Sequence, residues 1–281
     1  MVTKYDYAAD AVEAARSVLV ELVHLLGAYH DDIVLVGGWV PDLLLPDSPE
    51  PHVGSIDIDL ALDHRSLQEP RYQTLKQLLL GRGYQNDGKQ PFTFHRTVTI
   101  RNRSLVVQVD LLAGEYQGTG RSHRTQKFEN TRARKAPGCD LALELNTEVL
   151  VQGTLPGGGE DEVVVRVAQI VPFLVMKGMA LADRIKEKDA WDIYYCLRNY
   201  PGGLDALVRD FWPHRTHGLV REGLQKIGAK FASPTHIGPK CVADFEGITS
   251  PDERQRVQRD AYERVNYLVE RLGLKRTSSR K

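Results

Sequence analysis

The sequence predicts an α+β protein: a mixed β-sheet with flanking helices, followed by a C-terminal helical lobe. Two observations carry that expectation. Short apolar runs bounded by glycine and proline alternate with helical stretches up to about residue 168. Beyond Gln169 the hydrophobic period turns helical and stays so. The expected division is therefore 1–168 and 169–281, two lobes with a cleft between them, a common setting for a ligand.

The elements follow in order. Val12, Ala15, Val18, Leu19, Leu22, Val23 and Leu26 recur at helical spacing and predict a helix over 8–26, ended by Gly27. Ile33-Val34-Leu35-Val36 reads as a short buried strand, followed by a Gly37-Gly38 turn and a short helix over 39–45. Pro46, Pro49 and Pro51 make a loop. Residues 55–62 form the second strand, and 70–80 a helix with Pro70 in its first turn. Residues 92–100 and 104–112 read as a hairpin around Arg101-Asn102-Arg103. Residues 113–138 are polar, with Arg121, Arg124, Lys127, Arg132, Arg134 and Lys135 against Glu115 and Glu129, and read as a long surface excursion. Further strands are expected over 139–151 and 162–168, separated by Gly157-Gly158-Gly159. Helices are expected over 171–200, 204–227 (interrupted near Pro213) and 251–272, and the basic tail 275–281 reads as disordered.

Composition narrows the classes. The 281 residues are 42% hydrophobic and 26% charged, ordinary for a soluble globular protein. Lys+Arg and Asp+Glu both total 37, which argues against a uniformly basic nucleic-acid binder while leaving room for a local basic patch. Three scattered cysteines, Cys139, Cys196 and Cys241, fit neither a zinc site nor a disulfide framework and suit a reduced, cytoplasmic setting. The start lacks an apolar signal core, and no apolar run reaches membrane-spanning length.

The chemistry-bearing feature is an acidic motif behind the double glycine. Asp57 and Asp59 lie in Ser55-Ile56-Asp57-Ile58-Asp59-Leu60, and residues i and i+2 of a strand share a face. Asp110 ends the apolar strand Val106-Val107-Gln108-Val109 and can join them from a neighbouring strand. Three converging carboxylates form a hard-oxygen site suited to Mg2+, and a pair of such ions can hold a triphosphate and activate a hydroxyl. The blander reading is an exposed strand face that tolerates alternate aspartates. Gly37 and Gly38 allow backbone N–H groups to approach a phosphate, or simply make a tight turn.

A second cluster lies in the helical half. On one continuous helix, at about 100° per residue, Lys177, Arg184, Lys188 and Asp192 share a stripe, with Val175, Met179, Ala182, Ile193 and Leu197 roughly opposite. Such a stripe either meets phosphate charge or is a solvated face laced with pairs such as Lys188–Asp192. Asp189 lies off the stripe, placed to lock a neighbouring cation or help close the site.

Gly-Gly-Trp, then Ser-x-Asp-x-Asp-Leu, then an apolar strand ending in Asp-Leu-Leu resembles the nucleotidyltransferase superfamily with the DNA polymerase β-like core. The pattern Lys177…Arg184-x3-Lys188-Asp189-x2-Asp192, with Leu79-x3-Gly83-Tyr84, is similar to the AbiEii/AbiGii toxin family within it. The resemblance implies a nucleotidyltransferase fold and an enzyme that moves an NMP from an NTP to an acceptor hydroxyl with two Mg2+ ions. It implies that Asp57, Asp59 and Asp110 bind metal and, with Lys177 and Asp189, carry catalysis. It sets Gly37, Gly38, Trp39, Ser55, Lys177, Arg184, Lys188 and Asp192 around the nucleotide. It further implies a toxin-like enzyme of a toxin–antitoxin or phage-defence system, an RNA acceptor such as a tRNA end, and a cognate antitoxin. The chain departs from many superfamily members in having Gly38 where a serine is common. Arg121 to Lys135 and Arg254, Arg256, Arg259 and Arg264 are candidate RNA contacts. Two other readings compete. One is an aminoglycoside- or lincosamide-type transferase, against which the arginine-rich loop argues because a cationic acceptor needs an acidic pocket. The other is a non-catalytic, antitoxin-like binder on the same fold, which the presence of all three aspartates disfavours.

Overall fold

The computed structural model describes residues 2–63, 71–114, 125–128 and 131–274. Two compact units emerge: a sheet unit of Tyr7–Leu44 and Val53–Phe173, and a helical unit of Met1–Asp6, Leu45–His52 and Leu174–Lys281.

In the sheet unit, helix α1 (Ala9–Leu25) leads to strand β1 (Ile33–Val36). A 3-10 turn at Gly37–Trp39 feeds the short helix α2 (Val40–Leu44). Strand β2 (Asp57–Leu62) and helix α3 (Arg71–Gly81) follow, then strands β3 (Gln85–Asn86), β4 (Thr93–Ile100) and β5 (Arg103–Ala113). The β4–β5 hairpin turns at Arg101 and Asn102, both at positive φ. Strands β6 (Thr125–Phe128) and β7 (Thr131–Lys135), helix α4 (Cys139–Glu144) and strands β8 (Asn146–Thr154) and β9 (Glu160–Ala168) complete the order. The sheet runs β3-β4-β5-β2-β1-β9-β8. It is mixed: β2 is antiparallel to β1 and parallel to β5, and β1 is parallel to β9.

The faces sort by alternation. Leu22 and Val23 of α1 line one cavity with Leu35 of β1 and Leu60 of β2, so α1 covers the face that carries Leu60. Asp57 and Asp59 therefore project from the opposite face. Glu21 of α1 is buried among Arg96 (2.8 and 3.1 Å), Arg82 (3.0 Å) and Tyr84 Oη (3.1 Å), tying α1 to β4 and to the end of α3.

In the helical unit, α5 (Ile170–Asp183, which begins in the sheet unit) and α6 (Glu187–Asn199) are followed by α7 (Gly203–Phe211). A 3-10 turn at Trp212–His214 leads to α8 (Gly218–Lys230), α9 (Ile237–Phe245) and α10 (Pro251–Arg271). The α5–α8 crossing uses a glycine pair. A Cβ on Gly178 would collide with the Gly223 carbonyl oxygen, and one on Gly223 would sit 2.9 Å from Val175 Cα.

Several expectations are corrected. Residues 139–151 are not one strand: Cys139–Glu144 is a helix, entered from Gly138 at φ 98. It is closed by Asn146 Nδ2, which donates to the carbonyls of Ala142 (3.4 Å) and Leu143 (2.9 Å). Its apolar run was too short for period to separate helix from strand. Residues 171–200 are two helices, because the chain runs extended through Lys186. No glycine or proline marks that break, so the periodicity reads straight through it. The excursion 113–138 contains the β6–β7 hairpin, with β7 pairing beside Leu112 and Ala113 of β5 where β4 has ended. Helix α9 went unpredicted because Gly238-Pro239 sits in its first turn, where proline is tolerated but reads as a breaker. Pro70, Glu115, Arg121, Arg124, Glu129 and the tail 275–281 lie outside the described residues.

Candidate active site

Parallel pairing of β2 with β5 places Asp59 opposite Asp110 and Asp57 opposite Gln108. Adjacent strands lie about 4.8 Å apart, so the three aspartates stand on one face as neighbours. Asp110 is 7% exposed, while Asp57 and Asp59 are half-buried. The antiparallel β1–β2 pairing puts Val36 opposite Asp59, so the glycine turn leaves β1 beside the acidic pair.

That proximity explains the first glycine. Gly37 has φ +74, and a Cβ there would land on the Asp59 carboxylate, 2.8 Å from its Cγ and closer still to Oδ2. Any L-side chain at 37 pays for the backbone conformation and displaces Asp59. Trp39 is 1% exposed, and its indole Nε1–H donates to the Asp57 carbonyl at 2.9 Å, pinning the turn to the start of β2. Ser55 Oγ donates to Asp57 Oδ1. Thr93 Oγ1 donates to Asp110 Oδ1 at 2.6 Å, and Gln108 Nε2 to Oδ2 at 3.1 Å. Thr93 and Gln108 escaped the sequence reading. Their signal was the hairpin register, which sets Thr93 directly opposite Asp110. Helix α4 packs on β2, and the Asp59 charge reaches the Cys139 thiol, whose pKa burial already pushes far up.

The donor set suits a hard divalent cation by chemistry and register. Among the described residues, however, no group of three His, Cys, Asp or Glu side chains is arranged to hold a metal ion. The carboxylates of Asp57 and Asp110 point instead to the hydroxyl and amide donors just named.

The helical unit holds its own charged cluster. Because α5 and α6 are separate, Lys177 on α5 faces α6 rather than sharing a stripe with it. Lys177 Nζ donates to Asp189 Oδ1 (2.8 Å) and Asp192 Oδ2 (2.6 Å). Lys188 Nζ reaches Asp192 Oδ1 at 2.9 Å, and Arg184 reaches Asp189 Oδ2 at 3.3 Å. The Lys188–Asp192 pair expected on a solvated face is buried, with Asp192 at 0% exposure. Burial raises the Asp192 pKa, but Lys177 and Lys188 outweigh it and hold the carboxyl well below the usual range. Asp189 is likewise lowered, burial being overcome by Lys177 and Arg184. His52, from the proline-rich loop, also meets Asp192, Nε2 to Oδ1 at 3.0 Å. Elsewhere in the unit, Arg254 pairs with Asp244, and Arg264 with Asp260 at 2.8 Å.

A mixed sheet carrying a glycine turn against in-register aspartates is the arrangement that the resemblance to nucleotidyltransferases implies. Residues 22–264 match the family described as nucleotidyl transferase AbiEii toxin, type IV TA system. The chain belongs to that family and is a nucleotidyltransferase. Membership implies a nucleotide substrate and an antitoxin partner. Among solved structures, the chain is similar to a candidate nucleotidyltransferase from H. pylori: 12% identity, TM-score 0.39, 90% of this chain and 95% of that one covered. It is also similar to the MenT4 nucleotidyltransferase toxin of Mycobacterium tuberculosis H37Rv: 11% identity, TM-score 0.42, 99% and 96% covered. A comparison with curated proteins finds none that matches. No helix among the described residues is long and apolar enough to cross a membrane.

Proposed function

We propose that this toxin transfers an NMP from an NTP to an acceptor hydroxyl on RNA, a tRNA end in particular, in the cytoplasm and with Mg2+. The observation that carries the reading is the register of Asp59 with Asp110, on the face that holds Asp57 and beside the Gly37 turn. Residues 1–168 are read as the catalytic domain and 169–281 as the helical domain. Asp57, Asp59 and Asp110 would hold Mg2+, which when bound neutralises phosphate charge and eases deprotonation of the acceptor.

The remaining roles fall to the chain itself. Asp110 takes the acceptor hydroxyl's proton, oriented by Thr93 and Gln108. The acceptor oxygen bonds to the α-phosphorus as the bond to pyrophosphate breaks in line. Gly37 and Gly38 let the backbone approach the triphosphate, while Trp39 and Ser55 fix the position of Asp57. Lys177 and Arg184 supply charge to the phosphates, and Asp189 orients both. Lys177, Lys188 and Asp192 are all buried, and Lys188 and Asp192 act by holding Lys177 in place. Surface arginines such as Arg256 and Arg259 remain the candidate RNA contacts on α10.

The test is a transfer assay with Mg2+, each α-32P-labelled NTP in turn and total tRNA. Label on RNA that disappears in Asp57→Ala, Asp59→Ala and Asp110→Ala, each with wild-type circular dichroism, is the expected result. Full transfer by any of the three refutes the site. Label on an aminoglycoside instead of tRNA replaces the acceptor but keeps the chemistry.

A further inference from the structure

The segment between the glycine turn and the acidic pair reads as a proline-rich spacer, yet Leu45–His52 belongs to the helical unit. One side of α6 holds it. Tyr195 Oη donates to the Glu50 carbonyl at 2.8 Å, and Arg198 reaches the Glu50 carboxylate at 3.3 Å. The His52 ring stacks on Trp191 (centroids 5.0 Å apart, 30°) and meets Tyr195 edge-on (4.8 Å, 69°). Its side chain is 0% exposed. Trp191 is itself fixed by Phe245 and by Glu246, which accepts from its indole N–H.

Such a cage fixes both the position and the protonation of the ring. Burial, with the Lys188 charge beside it, pushes the His52 pKa down to about 4, so the ring is neutral at neutral pH. The Asp192 carboxylate is ionised and accepts only, so His52 Nε2 carries the hydrogen between them. Asp192 then takes three donors: His52 on Oδ1, Lys188 on both oxygens (2.9 and 3.2 Å), and Lys177 on Oδ2. A neutral donor on Oδ1 orients the carboxylate without adding charge, and the carboxylate orients Lys177.

We infer that His52 is a positioning residue for nucleotide binding, setting the Lys177 ammonium through Asp192. The inference rests on the proposed contact between Lys177 and the nucleotide phosphates. An apolar side chain at 52 removes the neutral donor from Oδ1 and leaves the two lysines alone to set the carboxylate, which can then shift toward Lys188 and draw Lys177 out of place. A side-chain amide restores the donor without a titratable ring.

The experiment measures binding of inorganic tripolyphosphate with Mg2+ by calorimetry. It compares wild type, His52→Leu, His52→Gln and Lys177→Ala, with a thermal melt of each. The expected result is affinity about tenfold weaker in His52→Leu, the size of one lost hydrogen bond to a charged group, and recovery in His52→Gln. If His52→Leu binds like wild type while Lys177→Ala loses binding, the inference falls and the lysine contact stands. If His52→Gln recovers the melting temperature but not the affinity, His52 only supports the fold and the inference falls. If Lys177→Ala binds like wild type, or wild type does not bind, the phosphate contact falls and the inference with it.

Discussion

Gly37→Ala tests the coupling between the turn and the acidic pair most directly. The backbone at 37 has φ +74, where an L-residue costs about 1–2 kcal/mol. The new methyl also meets the Asp59 carboxylate, and overpacking of that kind costs about 1–3 kcal/mol. The single variant should therefore lose roughly 2–5 kcal/mol in urea unfolding, summing the two effects. In an Asp59→Ala background the methyl meets only a Cβ 3.0 Å away, and the steric part mostly vanishes. Gly37→Ala should then cost only about 1–2 kcal/mol, a non-additivity that a double-mutant cycle reads directly. Gly27→Ala is the control, since a Cβ there meets nothing within 4 Å. Equal costs in the two backgrounds would falsify the proposed contact, as would a Gly37→Ala protein as stable as wild type.

Three further outcomes are expected. Gly178→Ala and Gly223→Ala should each lower stability by about 1–3 kcal/mol by forcing α5 and α8 apart, read as a drop in melting temperature; unchanged melting would deny the close crossing. Glu21→Gln should cost about 2–3 kcal/mol in chemical denaturation, because Arg96 and Tyr84 lose a carboxylate partner; a cost near zero would mean that solvent replaces it. Acid should destabilise the helical unit through His52: its pKa is 6.5 unfolded and about 4 folded, so the unfolded chain binds the proton more readily and stability falls as pH drops from 6.5 toward 4. Between pH 7 and 4.5, the unfolding free energy of wild type from urea titration should fall by about 2.5 kcal/mol more than that of His52→Gln, and parallel profiles would refute the buried neutral ring.

Much of this protein was legible in its sequence. Alternation alone put Asp57 and Asp59 on one strand face, and the apolar run before Asp110 marked the strand that pairs with theirs. Helix α1, strand β1 and the β4–β5 hairpin fall within a residue or two of their expected ends. These features depend on period and on turn residues, which are local properties of the chain. Where the local signals were balanced, packing decided: Cys139–Glu144 became a helix, and α5 parted from α6 without a breaker between them.

The sequence by itself determined the strand faces, the glycine turn and the residue types on which the proposed nucleotidyl-transfer site rests. Only the tertiary structure decided register and partners: Asp59 beside Asp110, Thr93 on Asp110, and Asp192 shared by two lysines and a histidine from 140 residues earlier. The physical reason is range. Periodicity is set by neighbours along the chain, whereas hydrogen bonds and ion pairs between distant segments exist only once burial has brought them together.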